Sequence, residues 1–218
     1  MENADDLIER PTTAQWARSL NISTAATPAA IADYHKPCPF SAREIATRAL
    51  VVQGCVAIAC GGDARPVTDW FIEQRLFEAT SPAERAFIGD PASISQDQIL
   101  RMRWRQEAEW ALLWVVGKVE PLGLPTVQCD TRRLVDEIVP GLGSDVEPFL
   151  STAQLRSPGE LLAEEDRHYD LWCYYVKARQ AGPRAVPSDL LPDVLYQREY
   201  AFEWLQGVED WDDVQCDA

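Results

Sequence analysis

Arginine, glutamate and tryptophan are interleaved in Arg101–Val116, RMRWRQEAEWALLWVV. A guanidinium holds carboxylates or phosphates through a planar fork of N–H donors, and indoles supply flat apolar walls, so these residue types suit a ligand pocket. They also suit a buried ion-pair core, where loss of one partner is strongly destabilising. Their order speaks against local helix electrostatics. An i,i+4 pair gains most with the acid first, and helix N-termini favour acids. Here Arg103 precedes Glu107, and Arg105 precedes Glu109. The partners are therefore expected elsewhere, among the acids of segment 158–181 or at Asp212 and Asp213 near the C-terminus. Arg103, Arg105, Glu107, Trp110, Trp114, Asp166, Tyr169, Arg198, Trp211 and Asp212 together form the candidate pocket or ion-pair core.

Other constellations are thinner. Glu165 and His168 make one Glu-x-x-His element, whose i,i+3 spacing lets both side chains share a helix face and ligate a metal. A di-metal site needs a second such element and two further glutamates, and His35 has Ala32 where the second glutamate would stand. His35 and Cys38 are half of a zinc set, with nothing in the spacing of Cys129 or Cys173 to complete it. No Gly-x-Ser-x-Gly or Walker-type loop occurs, and Gly141-Leu-Gly143 lacks the third glycine of a dinucleotide loop. Glu164, Glu165, Asp166 and Asp170 read best as a solvated acidic face. No catalytic residue, metal or cofactor is expected.

The formal net charge is −15. Such a balance opposes binding to nucleic-acid phosphates or anionic lipid surfaces and attracts a basic protein. The start, MENADDLIER, has no basic flank or apolar core of a leader, and Ala49–Cys60, the longest apolar run, is too short for a bilayer. Six cysteines without a Cys-x-x-Cys spacing suit reduced thiols in a cytoplasm.

These side chains must be placed by helices. Ser41/Glu44, Ser81/Glu84, Ser95/Gln98, Ser144/Glu147 and Ser157/Glu160 have the spacing of a capping box, in which serine and acid or amide satisfy each other's backbone N–H. Phe40 with Ile45 and Ile94 with Ile99 add staples, and Pro82 and Pro158 stand at first helical positions. Glycines at 61–62, 89, 182 and 207 mark stops. Helices are expected over 12–20, 42–60, 69–79, 82–88, 96–117, 131–139, 145–151, 158–181 and 193–206. No segment alternates with period two. The expected fold is one all-α domain of eight or nine irregularly packed helices over 41–218, with residues 1–40 an arm and short helix packed on it.

WRQEAEWALLWVVG (104–117), Gln128–Asp130, LRSPGELL (155–162), Arg198–Leu205 and the closing DWDDV (210–214) resemble the bacterial domain of unknown function 4272 family. SPAERAFI (81–88) and EIATRAL (44–50) fit it too, so the resemblance runs from about Arg43 to the end. It implies an intracellular, mainly helical protein and supplies no reaction. Two departures stand out: Tyr169-Asp170 and Trp172-Cys173 replace a Tyr-Arg and a His-Trp of the family pattern, and Asp217-Ala218 replaces Asp-Thr. The expected function is a non-catalytic protein-binding module engaging a basic partner, as an immunity protein engages a toxin. The alternative is a small-ligand binder or enzyme using the Arg/Glu/Trp pocket.

Overall fold

The computed structural model describes residues 38–207 and 210–216, with Gln15, Ser19 and the backbone of Pro183. Of the arm 1–40 only 38–40 and isolated positions are described, and the helix expected over 12–20 lies outside the described residues apart from such positions. Four of the five capping boxes form. They open α1 (Ala42–Ala59), α3 (Pro82–Gly89), α4 (Gln96–Val115) and α7 (Pro158–Ala181). In α1, Ser41 Oγ accepts from Glu44 N at 3.2 Å while Glu44 Oε2 accepts from Ser41 N at 2.7 Å. The remaining helices are α2 (Ala64–Glu73), α5 (Thr131–Arg133, running into a π turn over Leu134–Ile138), α6 (Glu147–Ser151) and α8 (Pro192–Leu205). Short 3-10 turns lie at Phe77–Ala79, Pro91–Ser93 and Pro183–Ala185. Among the described residues there is no strand, and the fold is all-α. No described helix is long and apolar enough to cross a membrane.

Three expected boundaries shift. Helix 69–79 starts earlier, because Asp63 caps Arg65 N at 3.0 Å and Pro66 falls in the first turn, where its missing N–H costs nothing. It also stops earlier, because Arg75 takes the left-handed conformation, φ 59°, and Leu76 N bonds back to Phe71 O at 2.8 Å. The Ser144/Glu147 box does not form. Val146 N donates to Gln74 Oε1 at 3.1 Å, Ser144 O accepts from Trp70 Nε1 at 2.8 Å, and Asp145 takes over Glu147 N. These tertiary bonds hold the segment out of the cap geometry.

The helices stack in the order α1, α4, α8, α7, each packing chiefly on the next. With α1 on one side and α8 on the other, α4 is buried at every position from Glu107 to Val115. This enclosure explains why the helix is apolar nearly all round. Gln53 interrupts the apolar run of α1 for a physical reason: its amide donates to both oxygens of Glu109, each at 2.9 Å. Glu109 is fully buried, and burial pushes its carboxyl well above the usual range.

Gly54 fixes the close approach of α2. A Cβ there would stand 2.3 Å from Phe71 Cζ and 2.9 Å from Val67 Cγ1. Alanine improves helix propensity by about 1 kcal/mol, but overpacking a filled core costs about 1–3 kcal/mol. Gly54→Ala is expected to destabilise, by a lowered urea midpoint at unchanged m-value. A raised midpoint would show that Phe71 can move aside freely.

Candidate functional site

Glu107 and Arg198 form the polar centre of the molecule. Both are nearly inaccessible (2% and 1%), and Arg198 Nε and Nη2 donate to Glu107 Oε2 at 3.1 and 3.0 Å. The outer atoms of the pair are also used. Glu107 Oε1 accepts from Cys129 N at 2.6 Å, and Arg198 Nη1 donates to Gly123 O at 2.8 Å. Trp110 Nε1 adds a bond to Leu122 O at 3.1 Å. The pair therefore clamps the connection 116–130 onto α4 and α8, and its lone pairs and donors point at protein. Arg156 closes the other end of the same connection. Its Nε donates to Trp114 O at 2.8 Å, Nη2 reaches Val119 O and Glu120, and the guanidinium lies 4.4 Å from the Trp114 ring. A cation on the last carbonyls of α4 is where the helix dipole favours one.

Arg103 and Arg105 do not reach the acids of α7 or of the tail, as their order had suggested. Arg103 Nε donates to Ala59 O at 2.7 Å, at the C-terminal end of α1. Arg105 lies 3.4 Å over the Tyr200 ring and 5.6 Å from that of Trp211, and Nη1 donates to Gln197 Oε1 at 2.9 Å. The partner helix of Arg105 is thus α8, which presents Gln197, Arg198 and Tyr200 to α4. Among the described residues Asp212 does not form an ion pair with an arginine either. Its two oxygens accept from Ser81 Oγ at 2.6 Å and Ala83 N at 2.8 Å, a carboxylate at the N-terminus of α3. Trp211 is buried between Tyr200 and Trp204, edge-on to both, and its carbonyl accepts the Tyr200 hydroxyl.

Asp166 and Tyr169 sit on α7, which packs on the far side of α8. Tyr169 is 45% exposed, and its phenol is pushed up chiefly by a hydrogen bond with Cys173. His168 is fully buried beside Phe202, with Nδ1 at 3.0 Å from Glu164 O and 3.5 Å from Glu164 Oε1. Its neighbour is Glu164, not the Glu165 of the Glu-x-x-His element. Among the described residues no three His, Cys, Asp or Glu side chains converge for a metal. Of the other proposed zinc ligands, His35 lies outside the described residues, and Cys38 Sγ faces Phe40 O at 3.7 Å. Glu199 of α8 is buried against α7; burial first, then Glu203, Glu165 and Asp170, raise its carboxyl well above the usual range.

A second polar joint was not anticipated from the sequence. Arg48 of α1 and Glu84 of α3 are buried together, with Arg48 Nη2 at 2.5 Å from each carboxylate oxygen and Nη1 at 3.0 Å from Ala79 O. Arg48 also lies 4.8 Å from the Trp211 ring. Beside this joint is an open groove of about 1010 Å³, floored by Phe40, Trp204 and Trp211 and edged by Arg43, Glu44, Asp210 and Asp213. Phe40 and Trp204 stack at 4.2 Å. The arginines on its edge are engaged, Arg43 by Glu147 at 2.6 Å and Arg48 by Glu84.

The family model described as Domain of unknown function (DUF4272) matches residues 10–214. The chain belongs to that family. The match begins upstream of Arg43, where the resemblance had been placed. Neither a curated protein nor a solved structure matches. In this DUF4272 protein the segments that carry the likeness contain the buried polar residues Arg48 in EIATRAL, Glu84 in SPAERAFI, Glu107 and Glu109 in the α4 run and Arg198 in α8, together with the half-buried Arg156 in LRSPGELL and the exposed Asp212 in the tail. A lone Gln53 within an apolar run, and an arginine on a core helix at Arg48, were the available signals for the joints that were missed.

Proposed function

We propose that this protein is a binding module, and that the groove beside Trp204 and Trp211 takes a cationic segment of a partner protein bearing an apolar anchor. One observation carries the reading: the groove has an aromatic floor, its arginines are neutralised by internal carboxylates, and Glu44, Asp210 and Asp213 on its edge are exposed. An apolar centre with a charged rim is the usual anatomy of a recognition surface. The overall charge of −15 adds long-range attraction for a basic partner. Binding is favoured over catalysis because Glu107, Arg198, Trp110 and Asp212 spend their polar atoms on internal partners.

The test uses two synthetic peptides of equal length with one tryptophan or leucine each, one rich in lysine and arginine, the other in glutamate. The cationic peptide is expected to bind saturably and to weaken as salt rises. Asp210→Lys/Asp213→Lys should weaken it at least tenfold, because both positions are exposed and on the groove edge. Equal affinity for the two peptides, or an undiminished affinity in the double variant, would remove the proposal.

A further inference from the structure

Arg105 differs from four other arginines held in the body of the fold. Arg48, Arg156, Arg167 and Arg198 each have a carboxylate partner, at Glu84, Glu120, Glu164 and Glu107. Among the described residues no carboxylate lies within ion-pair distance of Arg105, and its hydrogen-bonding partner is the neutral Gln197 side chain. A charge largely withdrawn from water, with Glu84 acting on it only from beyond ion-pair distance, is costly, so an anion that pairs with it directly gains part of what the other pairs gain internally. Burial holds the Arg105 pKa below the usual arginine value, with the dipoles and groups of Tyr200, Tyr196, Glu84 and Cys216 acting the other way; the guanidinium stays charged.

The surroundings state what kind of anion fits. One face of the guanidinium is covered by Tyr200 at 3.4 Å, which leaves its edge as the donor surface. Beyond Tyr200 the wall continues through Tyr196 (6.2 Å between ring centroids) to Trp172 (5.5 Å), both half-buried. Trp172 is fixed there by a bond from Nε1 to Cys216 O at 2.9 Å. Arg101, one turn before Arg105 and exposed, acts on Tyr196 and brings a second positive charge to the same side of α4. An aromatic wall next to an edge-on guanidinium matches a planar carboxylate carried on a flat body. The charge of −15 disfavours multiply charged anions such as phosphate relative to a monocarboxylate.

We propose that Arg105, with Gln197, Tyr200, Tyr196 and Trp172, forms a binding site for a small aromatic or unsaturated monocarboxylate between α4, α8 and the C-terminal segment. This site adjoins the groove at Trp211, which lies 5.6 Å from Arg105, but Arg105, Tyr200, Tyr196 and Trp172 do not line the groove, so either reading can fail without the other.

Benzoate and inorganic phosphate, titrated at fixed ionic strength, test it. Benzoate is expected to shift the Arg105 Nε–Hε resonance of the wild-type protein and to quench tryptophan fluorescence with one saturating isotherm. Arg105→Met should weaken that binding at least tenfold, and Arg105→Lys, which keeps charge without the fork, should fall between. Near-UV circular dichroism shows whether the variants are folded; if Arg105→Met is not, the wild-type resonance decides. A resonance that does not move, an isotherm unchanged in a folded Arg105→Met, or phosphate binding as tightly as benzoate would each overturn the proposal.

Discussion

Glu107→Leu and Arg198→Met are each expected to destabilise the protein by about 3–5 kcal/mol, because either leaves a charge buried without its partner. Desolvation is already complete at both residues, so neither survivor can turn to solvent. The double substitution should recover part of that loss, since no unpaired charge remains. Recovery is expected to be partial, because Cys129 N and Gly123 O lose their partners as well. The connection 116–130 should therefore loosen before the helices do. Urea denaturation of the two single variants and the double measures the coupling, and limited proteolysis within 117–130 measures the loosening. Single variants within about 1 kcal/mol of wild type would contradict the assignment of this pair as a buried ion pair.

The same residues show how far a sequence can be read. Periodicity and caps placed the long helices within a residue or two, because a capping box is local: Ser41, Ser81, Ser95 and Ser157 each find their acid or amide three positions on. Ser144 has the same spacing and fails, since its neighbours are taken by Trp70 and Gln74, more than seventy positions away in the chain. The left-handed Arg75 that ends α2 carries no glycine to announce it. The candidate site shows a similar division. That α4 is enclosed, and that its arginines are not paired with its own glutamates, follows from residue order. Which helix answers them does not. Glu107 meets Arg198 and Arg105 meets Tyr200 across α8, whereas the acids richest in the sequence lie on α7, one layer further out. Charge counts point to where acids are abundant; packing order decides which are in reach.

That outer layer makes stability depend on pH in two opposed ways, and His168 sets one of them. Burial, followed by Arg198 and Arg167, outweighs Glu164 and pulls the His168 imidazole down to about 4. Between its ordinary value of about 6.5 and that figure, the unfolded chain binds a proton that the folded chain refuses. The stabilisation is complete above about pH 6.5 and is lost as pH falls through about 4, a loss on the order of 3 kcal/mol. Glu165 behaves oppositely. Burial first, then Asp166 and Glu203, push its carboxyl up to about 8, so the stability it lends is present below the usual glutamate value and disappears as pH rises through about 8. His168→Leu should therefore gain on wild type as pH drops from 6.5 to 4, and the two should run parallel above 7. Glu165→Gln should gain on wild type as pH rises from 5 to 8. Thermal unfolding of the three proteins across pH 4–8 separates the two effects, since each difference curve bends in its own window. A His168→Leu difference that is flat from pH 6.5 to 4 would mean that the folded protein admits the proton, which requires water or an anion to reach Nε2 between α7 and Phe202.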